Sequence, residues 1–588
     1  MLIRNLIVTA CTAALWLSAG SCFRRKPSED IRLLLLPLEN QSGDSSLDWL
    51  SPLSSAVLDY DLNSLPHWTV LRGDSVRDVT QTQANRVVEG YFALEAGRLA
   101  VHATLRAPEQ RTTLRVIVRS EPLNGGAQTL LDAVAKDLNA AARPFTSSDQ
   151  RALESYAKAL DSGDAAARMR LLQVATSQDP KLTPAGFLLA QMLMERGDRA
   201  QAEEVASRVA KNAPESADKA RLEYLAATAR GDSQAREIAL QQLAKLAPSA
   251  STYALLGELH TNERKFQESI HDYEEVARLE PQNGGVYNLI GYDYAYMHNL
   301  AAAKENLERY GRMTSPNDPN VLDSLGEVHF LMGQFAAAEQ YFMNAFQKSP
   351  SAQTAKELIK AAVAHLMTGD LPGADAVFGK YLDVVKAQEP DVLEIPRAQW
   401  DYFTGRRKQA MGRLEKVYAE QKPETFALAG AQLSFWHLLM GDRSAAIYAA
   451  NAQQKAAAPS VRTLAGVCAY LAAPGKSNPP DRWFQAVGLV LQHQTAQATT
   501  LLQQVYRDTP PANDSEVRAL LAWLYVENKQ EGAARALLES YPLIFPFPDA
   551  IFGSFTFSRF LRARAQVAPS PQIQKLAEQV AGDMPDRF

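Results

Sequence analysis

The chain has 588 residues, too many for one hydrophobic core, so it divides into several domains or forms an extended array. Its 46% hydrophobic and 22% charged content excludes wholesale disorder. A net charge of -5, from 61 basic and 66 acidic side chains, gives no electrostatic basis for binding nucleic acid.

Residues 1–22 read as a targeting segment. Arg4 precedes an apolar stretch from Leu6 to Leu17, and Ser18-Ala19-Gly20-Ser21 supplies small residues before Cys22. Ala19-Gly20-Ser21-Cys22 resembles a bacterial lipobox, with Ala19 where Leu usually stands. That resemblance implies acylation of Cys22 and a lipid anchor on the periplasmic side of a bacterial membrane. Two other readings stay open. An ordinary signal peptidase would release a soluble periplasmic protein. Alternatively, Leu6 to Phe23 stays as a single transmembrane anchor, and Arg24-Arg25-Lys26 keeps the body cytoplasmic. At about 18 residues that anchor barely spans a bilayer. The other cysteines, Cys11 and Cys468, offer no disulfide framework and no metal-binding spacing, and Cys468 reads as a small buried residue.

Residues 23–145 read as a small α/β domain. Leu33-Leu34-Leu35-Leu36, closed by Pro37, is a buried strand beginning near Ile31. A polar turn, Glu39 to Asp44, leads to a helix that starts at Ser51-Pro52 and places Leu53, Val57 and Tyr60 on one face. Strands follow at Trp68–Leu71, Arg86–Ala96, Arg98–Leu105 and Thr112–Val118, and a helix from about Gln128 to Ala142 closes the unit. Leu36-Pro37-Leu38-Glu39-Asn40-Gln41-Ser42-Gly43-Asp44 resembles the opening of the TolB amino-terminal-like domains. Val88-Glu89-Gly90-Tyr91 with Gly97-Arg98-Leu99-Ala100-Val101 is similar to that family's later strand pair. The resemblance implies a sensing or interaction role and no catalytic residues.

Beyond this domain the sequence repeats. Prolines at 180, 214, 248, 281, 316 and 350 are separated by 34, 34, 33, 35 and 34 residues. Glycines at 163, 197, 231 and 333 each precede one of those prolines by 17. In the clearest unit Leu322, Leu325, Gly326 and His329 mark a first helix. Gly333 makes the turn, Ala338, Phe342 and Ala345 mark a second helix, and Pro350 stops it. Gly326 and Ala338 are small where the helices cross, and Phe342 fills the space beside them. The period and the pattern are similar to the tetratricopeptide motif. The expected architecture is therefore mostly α: a tetratricopeptide-repeat superhelical solenoid preceded by a small α/β domain. Strong repeats are expected over 149–352 and degenerate ones over 353–546, about eleven units in all, with C-terminal capping helices in 547–588. Ala473–Pro480 reads as an insertion or hinge, and Tyr541–Phe547 as a cover for the last repeat or a docking patch.

Catalytic motifs are missing: there is no phosphate-loop lysine motif, no His-Glu-x-x-His and no Gly-x-Ser-x-Gly. His260, His329 and His365 share one repeat position, which reads as packing and not as a metal site. The expectation is a non-enzymatic scaffold with no cofactor and no metal, binding other proteins or peptides and no small-molecule substrate. By the repeat template Glu258, Asn288, Tyr292, Asp323 and Glu327 face the concave side. That makes the groove acidic and aromatic, suited to basic or polar extended segments. A membrane-anchored sensory or regulatory protein facing the cytoplasm is the alternative.

Overall fold

The structure is a computed structural model that describes residues 31–581, apart from 64, 66–67, 110–111, 123–125, 352–353, 443, 474–480 and 541–550. The targeting segment with Cys22, the Arg24–Lys26 cluster, most of the Ala473–Pro480 insertion and the Tyr541–Phe547 run all lie outside the described residues. The chain divides into two compact units, one ending at Thr252 and the other running on from Tyr253.

The first unit opens with a sheet of six strands: β1 (Ile31–Leu35), β2 (Glu39–Asn40), β3 (Trp68–Arg72), β4 (Arg86–Glu95), β5 (Arg98–Ala107) and β6 (Thr112–Pro122). The order is β3-β1-β4-β5-β6, and β2 extends the β1 line alongside β4. β1 runs parallel to β3 and β4, while β4, β5 and β6 form an antiparallel meander. Ala96 and Gly97 join β4 to β5, both at positive φ (49° and 75°), the conformation that matches the twist of a two-residue hairpin. The sequence placed Glu39-Asn40 in a turn. They pair instead with Tyr91 and Phe92 of β4.

An unbroken leucine run suits β1 because both its faces are covered. Leu33 and Leu35 enter the main core with helices Leu50–Leu62 and Ala127–Leu138, whereas Leu34 and Leu36 pack with Ala84 and Val87 on the opposite face. The main core does not stop at the sheet. It continues through Ala152, Leu153 and Tyr156 to Leu189 and Ala202, so the α/β layer and the first helix pairs are apolar neighbours. Three pairs belong to this unit: Gln150–Asp161 with Ala165–Gln178, Thr183–Glu195 with Arg199–Asn212, and Ala217–Arg230 with Ser233–Leu246.

The second unit begins within Ala250–Asn262, which pairs with Phe266–Leu279. Val286–Tyr296 with Leu300–Met313, Pro319–Leu331 with Phe335–Lys348, and Lys356–Leu366 with Leu371–Gln388 follow. Next come Glu394–Phe403 with Arg407–Ala419 and Pro423–Leu439 with Ala445–Lys455. A single extra helix, Pro459–Ala472, precedes Arg482–Leu491 with Thr495–Asp508 and Ser515–Glu527 with Glu531–Ser540. Helices Gly553–Val567 and Pro571–Ala581 end the described chain.

Two local devices recur. A left-handed residue follows the first helix at 197, 231, 264, 298, 333, 369, 405 and 441, at steps of 34, 33, 34, 35, 36, 36 and 36. In addition, a first-helix glycine meets a large side chain of its second helix. A Cβ on Gly257 would stand 2.6 Å from the Tyr273 ring, and one on Gly326 would stand 2.6 Å from Phe342.

The second unit also closes on itself. Arg264 Nη2 donates to the carbonyls of Tyr506 (3.1 Å) and Thr509 (3.0 Å) and to Asp514 Oδ2 (2.8 Å). Its guanidinium lies 4.0 Å from the centre of the Tyr506 ring.

Candidate functional site

Three of the five groove residues expected from the repeat template come together. Tyr292, on Val286–Tyr296, donates its hydroxyl proton to Glu327 Oε2 at 2.8 Å and approaches Ser324 Oγ at 3.3 Å. Asp323 and Glu327 lie on the next first helix, Pro319–Leu331. Lys360 of the following first helix reaches both, with its Nζ 2.5 Å from Asp323 Oδ1 and 2.7 Å from Glu327 Oε1. Glu357 Oε2 stands 3.6 Å from the same nitrogen. Successive first helices are thus stitched through one polar row. Asn288 lies one turn before Tyr292, and its side-chain oxygen is buried with no hydrogen-bond partner. Glu258 stands apart, exposed on Ala250–Asn262.

The electrostatics follow from this geometry. Burial alone would raise the Asp323 carboxyl, but the Lys360 charge and a hydrogen bond from Glu357 hold it below its ordinary value. Glu357 is pushed up to about 8 by burial and by sharing its proton with Asp323, which favours its neutral form. Burial opposes the charge on Lys360, and the surrounding carboxylates overcome it and raise its pKa. The polar row is therefore less acidic than Asp323 and Glu327 suggest, because a lysine one repeat later offsets them. Burial, then Glu327 and Asp323, raise the Tyr292 hydroxyl well above its usual range, which keeps it a proton donor.

Lys360 and Glu357 were missed in the sequence, yet a signal for them exists. Partners in neighbouring repeats should sit about one period apart. Lys360 is 33 residues after Glu327, Glu357 is 34 after Asp323, and Glu327 is 35 after Tyr292. A search for opposite charges at that offset would have found the lysine.

A second polar row lies one pair earlier. Asp293 accepts from Thr261 Oγ1 (2.9 Å) and Ser269 Oγ (2.7 Å), and Ser269 Oγ also lies 2.9 Å from the Gly257 carbonyl. Burial raises Asp293 to about 6, against the pull of these two hydroxyls.

The three histidines of one repeat position each have a side-chain partner. His260 Nδ1 is 2.6 Å from Asp272, and His329 Nδ1 is 2.6 Å from Gln334 Oε1. His365 lies between Glu339 (2.8 Å) and Asp370 (3.0 Å). Among the described residues no group of three or more His, Cys, Asp or Glu is placed to hold a metal ion. Cys468 is buried with its thiol against the Ala431 carbonyl at 3.4 Å, and burial pushes it up to about 12, so it stays a protonated core residue. No helix among the described residues is long and apolar enough to cross a membrane.

Tetratricopeptide-repeat family models match residues 250–283 and 489–551. Over 87 residues the chain is 31% identical to the TPR repeat-containing protein PA4667 of Pseudomonas aeruginosa, a match covering 15% of this chain and 15% of that protein. The chain therefore spans 15% of the length of this curated relative. Among solved structures, PilF of Pseudomonas aeruginosa is 18% identical with a TM-score of 0.28, covering 35% of this chain and 92% of that one. The C-terminal part of a TPR repeat-containing protein of Cytophaga hutchinsonii is 14% identical with a TM-score of 0.32, covering 42% and 93%. PilW, described as a widely conserved type IV pilus biogenesis factor, is 18% identical with a TM-score of 0.29, covering 36% and 94%. The family-model matches and the succession of helix pairs agree: the chain carries tetratricopeptide repeats.

Proposed function

We propose that this chain is a non-enzymatic scaffold, tethered to the bacterial cell envelope through an acylated Cys22, that holds partner proteins along the concave, first-helix side of its repeats. The observation that carries the reading is the polar row of Asn288, Tyr292, Asp323 and Glu327 on consecutive first helices. Repeats stacked this way expose a continuous face, because each pair buries its apolar sides only against its neighbours. With Lys360 offsetting one carboxylate and burial favouring neutral Glu357, Asp323, Glu327 and Glu258 leave a mildly acidic surface. An extended segment with donors and modest positive charge suits it. The amino-terminal α/β domain, in its resemblance to TolB amino-terminal-like domains, supplies a second interaction or sensing surface near the anchor.

The test begins with affinity capture of the mature chain from its own membranes. Glu258→Lys is the clean arm, because Glu258 is exposed and stands apart from the Lys360 cluster. It is expected to weaken capture of the native partner several-fold. Asn288→Leu is expected to do the same, and unchanged capture by both variants removes the reading. Envelope tethering has its own test. Incorporation of a labelled lipid precursor is expected in the parent and lost in Cys22→Ala. Arg24-Arg25-Lys26 favours the alternative, a cytoplasmic-facing regulatory protein on an uncleaved anchor, and lipid labelling absent from both proteins supports that one.

A further inference from the structure

Helix Gly553–Val567 is not a surface cap. Residues 551–561 are buried without a break, whereas a surface helix leaves one face wet. Besides Glu531–Ser540 and Pro571–Ala581, it and the two residues before it meet the first helices of four successive pairs. Phe557 stacks on Phe403 of Glu394–Phe403 at 4.8 Å between ring centres. Phe552 and Phe555 meet Phe435 of Pro423–Leu439 edge-on, at 4.6 and 5.9 Å, and Gln432 of that helix donates to the Ile551 carbonyl. Phe552 also reaches Phe484 of Arg482–Leu491, at 5.6 Å. The Arg559 guanidinium lies 4.8 Å from the Trp523 ring of Ser515–Glu527. These are first helices, the set that earlier in the array carries the polar row.

The segment is also unlike an ordinary core helix. Ser554, Thr556, Ser558 and Arg559 are all buried within it. Thr556 bonds back to the carbonyls of Phe552 and Gly553, and Ser558 to that of Phe555. A helix that satisfies its hydroxyls on its own backbone carries them between core and water at little cost.

We infer that the first-helix face from Glu394 to Glu527 is a helix-binding groove, occupied by residues 553–567 as an internal ligand. It takes in their place a partner helix of the same chemistry: phenylalanines at i, i+2 and i+5 with an arginine at i+4. Recognition is by ring stacking and by a cation over Trp523, the pairings that aromatic and guanidinium groups favour when desolvated. This surface is separate from the row at 258–327, so its test succeeds or fails apart from the reading above.

Two measurements on the full chain decide it. In native-state hydrogen exchange of the parent protein, 553–567 is expected to open as a unit, about tenfold or more faster than Pro423–Leu439 and Ser515–Glu527. Equal protection of all three overturns the inference. A fluorescent peptide of residues 551–569 is then titrated into the parent and into Phe557→Ala/Phe560→Ala. Loss of two buried rings should raise peptide affinity by about a hundredfold or more, because the resident helix no longer competes. A variant that keeps the parent's circular dichroism but binds no peptide overturns the inference. If the variant does not fold, the exchange measurement on the parent decides.

Discussion

Replacing Lys360 with methionine is the sharpest perturbation of the polar row. Its side chain is 5% exposed, with carboxylate oxygens of Asp323 and Glu327 at 2.5 and 2.7 Å. At an effective dielectric of 20, each contact is worth roughly 6 kcal/mol of Coulomb energy. Most of that offsets the desolvation of the three charges, so the intact cluster contributes little net stability. Removing only the lysine is different, because two half-buried carboxylates then face each other without a counter-charge. The expected loss is about 3–5 kcal/mol. Repeat stability is a sum over neighbours, so the loss should be local. Denaturant unfolding, with native-state hydrogen exchange read on Pro319–Leu331 and Lys356–Leu366, measures it. The triple variant Lys360→Met/Asp323→Asn/Glu327→Gln, which silences all three charges, is expected to return to within about 1–2 kcal/mol of the parent. A loss below about 1 kcal/mol for Lys360→Met alone would refute this account of the row.

Burial and the neighbouring Asp132 push Asp61 up to about 9, as burial pushes Glu357 to about 8. Folded values above the unfolded ones mean stability that is present at low pH and lost as pH rises from about 4 through those values, at about 1.4 kcal/mol per unit for each group. The chain should therefore be more stable at pH 5 than at pH 8.5. Asp61→Asn should flatten that slope in exchange measured on Leu50–Leu62, and an unchanged slope contradicts the assignment. Gly326→Ala should destabilise by about 1–3 kcal/mol, because the new methyl meets Phe342, although alanine is the better helix former by about 1 kcal/mol. Unfolding midpoints check this, and Phe342→Leu in the same chain should recover part of the loss. Arg264→Ala should raise exchange both at its own turn and around Tyr506–Arg518, some 250 residues away; a change confined to one end counts against the closure.

Period and local chemistry made the ladder legible. Gly326 and Ala338 were readable as a close crossing because small residues at a fixed offset have few other uses. The second half is harder to read because its turn residue advances by 36, whereas the prolines up to Pro350 advance by about 34. In addition, Arg264, His298, His493 and Lys529 adopt the left-handed turn without being glycine, which hides those turns from a glycine search. Lys360 was hidden for another reason: its meaning comes from Asp323 and Glu327 in the preceding pair, not from its own repeat. The Arg264–Asp514 contact and the burial of residues 551–561 depend on how far the array curves over many repeats. Small rotations per pair sum to that curvature, and no single window of sequence contains them. In the α/β domain, β1 was legible as an apolar run, whereas the two-residue β2 was not, because Glu39-Asn40 carries only turn chemistry.

The claim underlying all of this is that partners dock on the first-helix side of the repeats. Site-specific photocrosslinking in living cells tests it most directly, with the crosslinker placed in turn at Glu258, Asn288 and Glu327, and at the exposed second-helix residues Ile238 and Ile447. The account predicts discrete protein adducts from the first three positions and none from the last two. Adducts from Ile238 or Ile447 with none from the groove would contradict it.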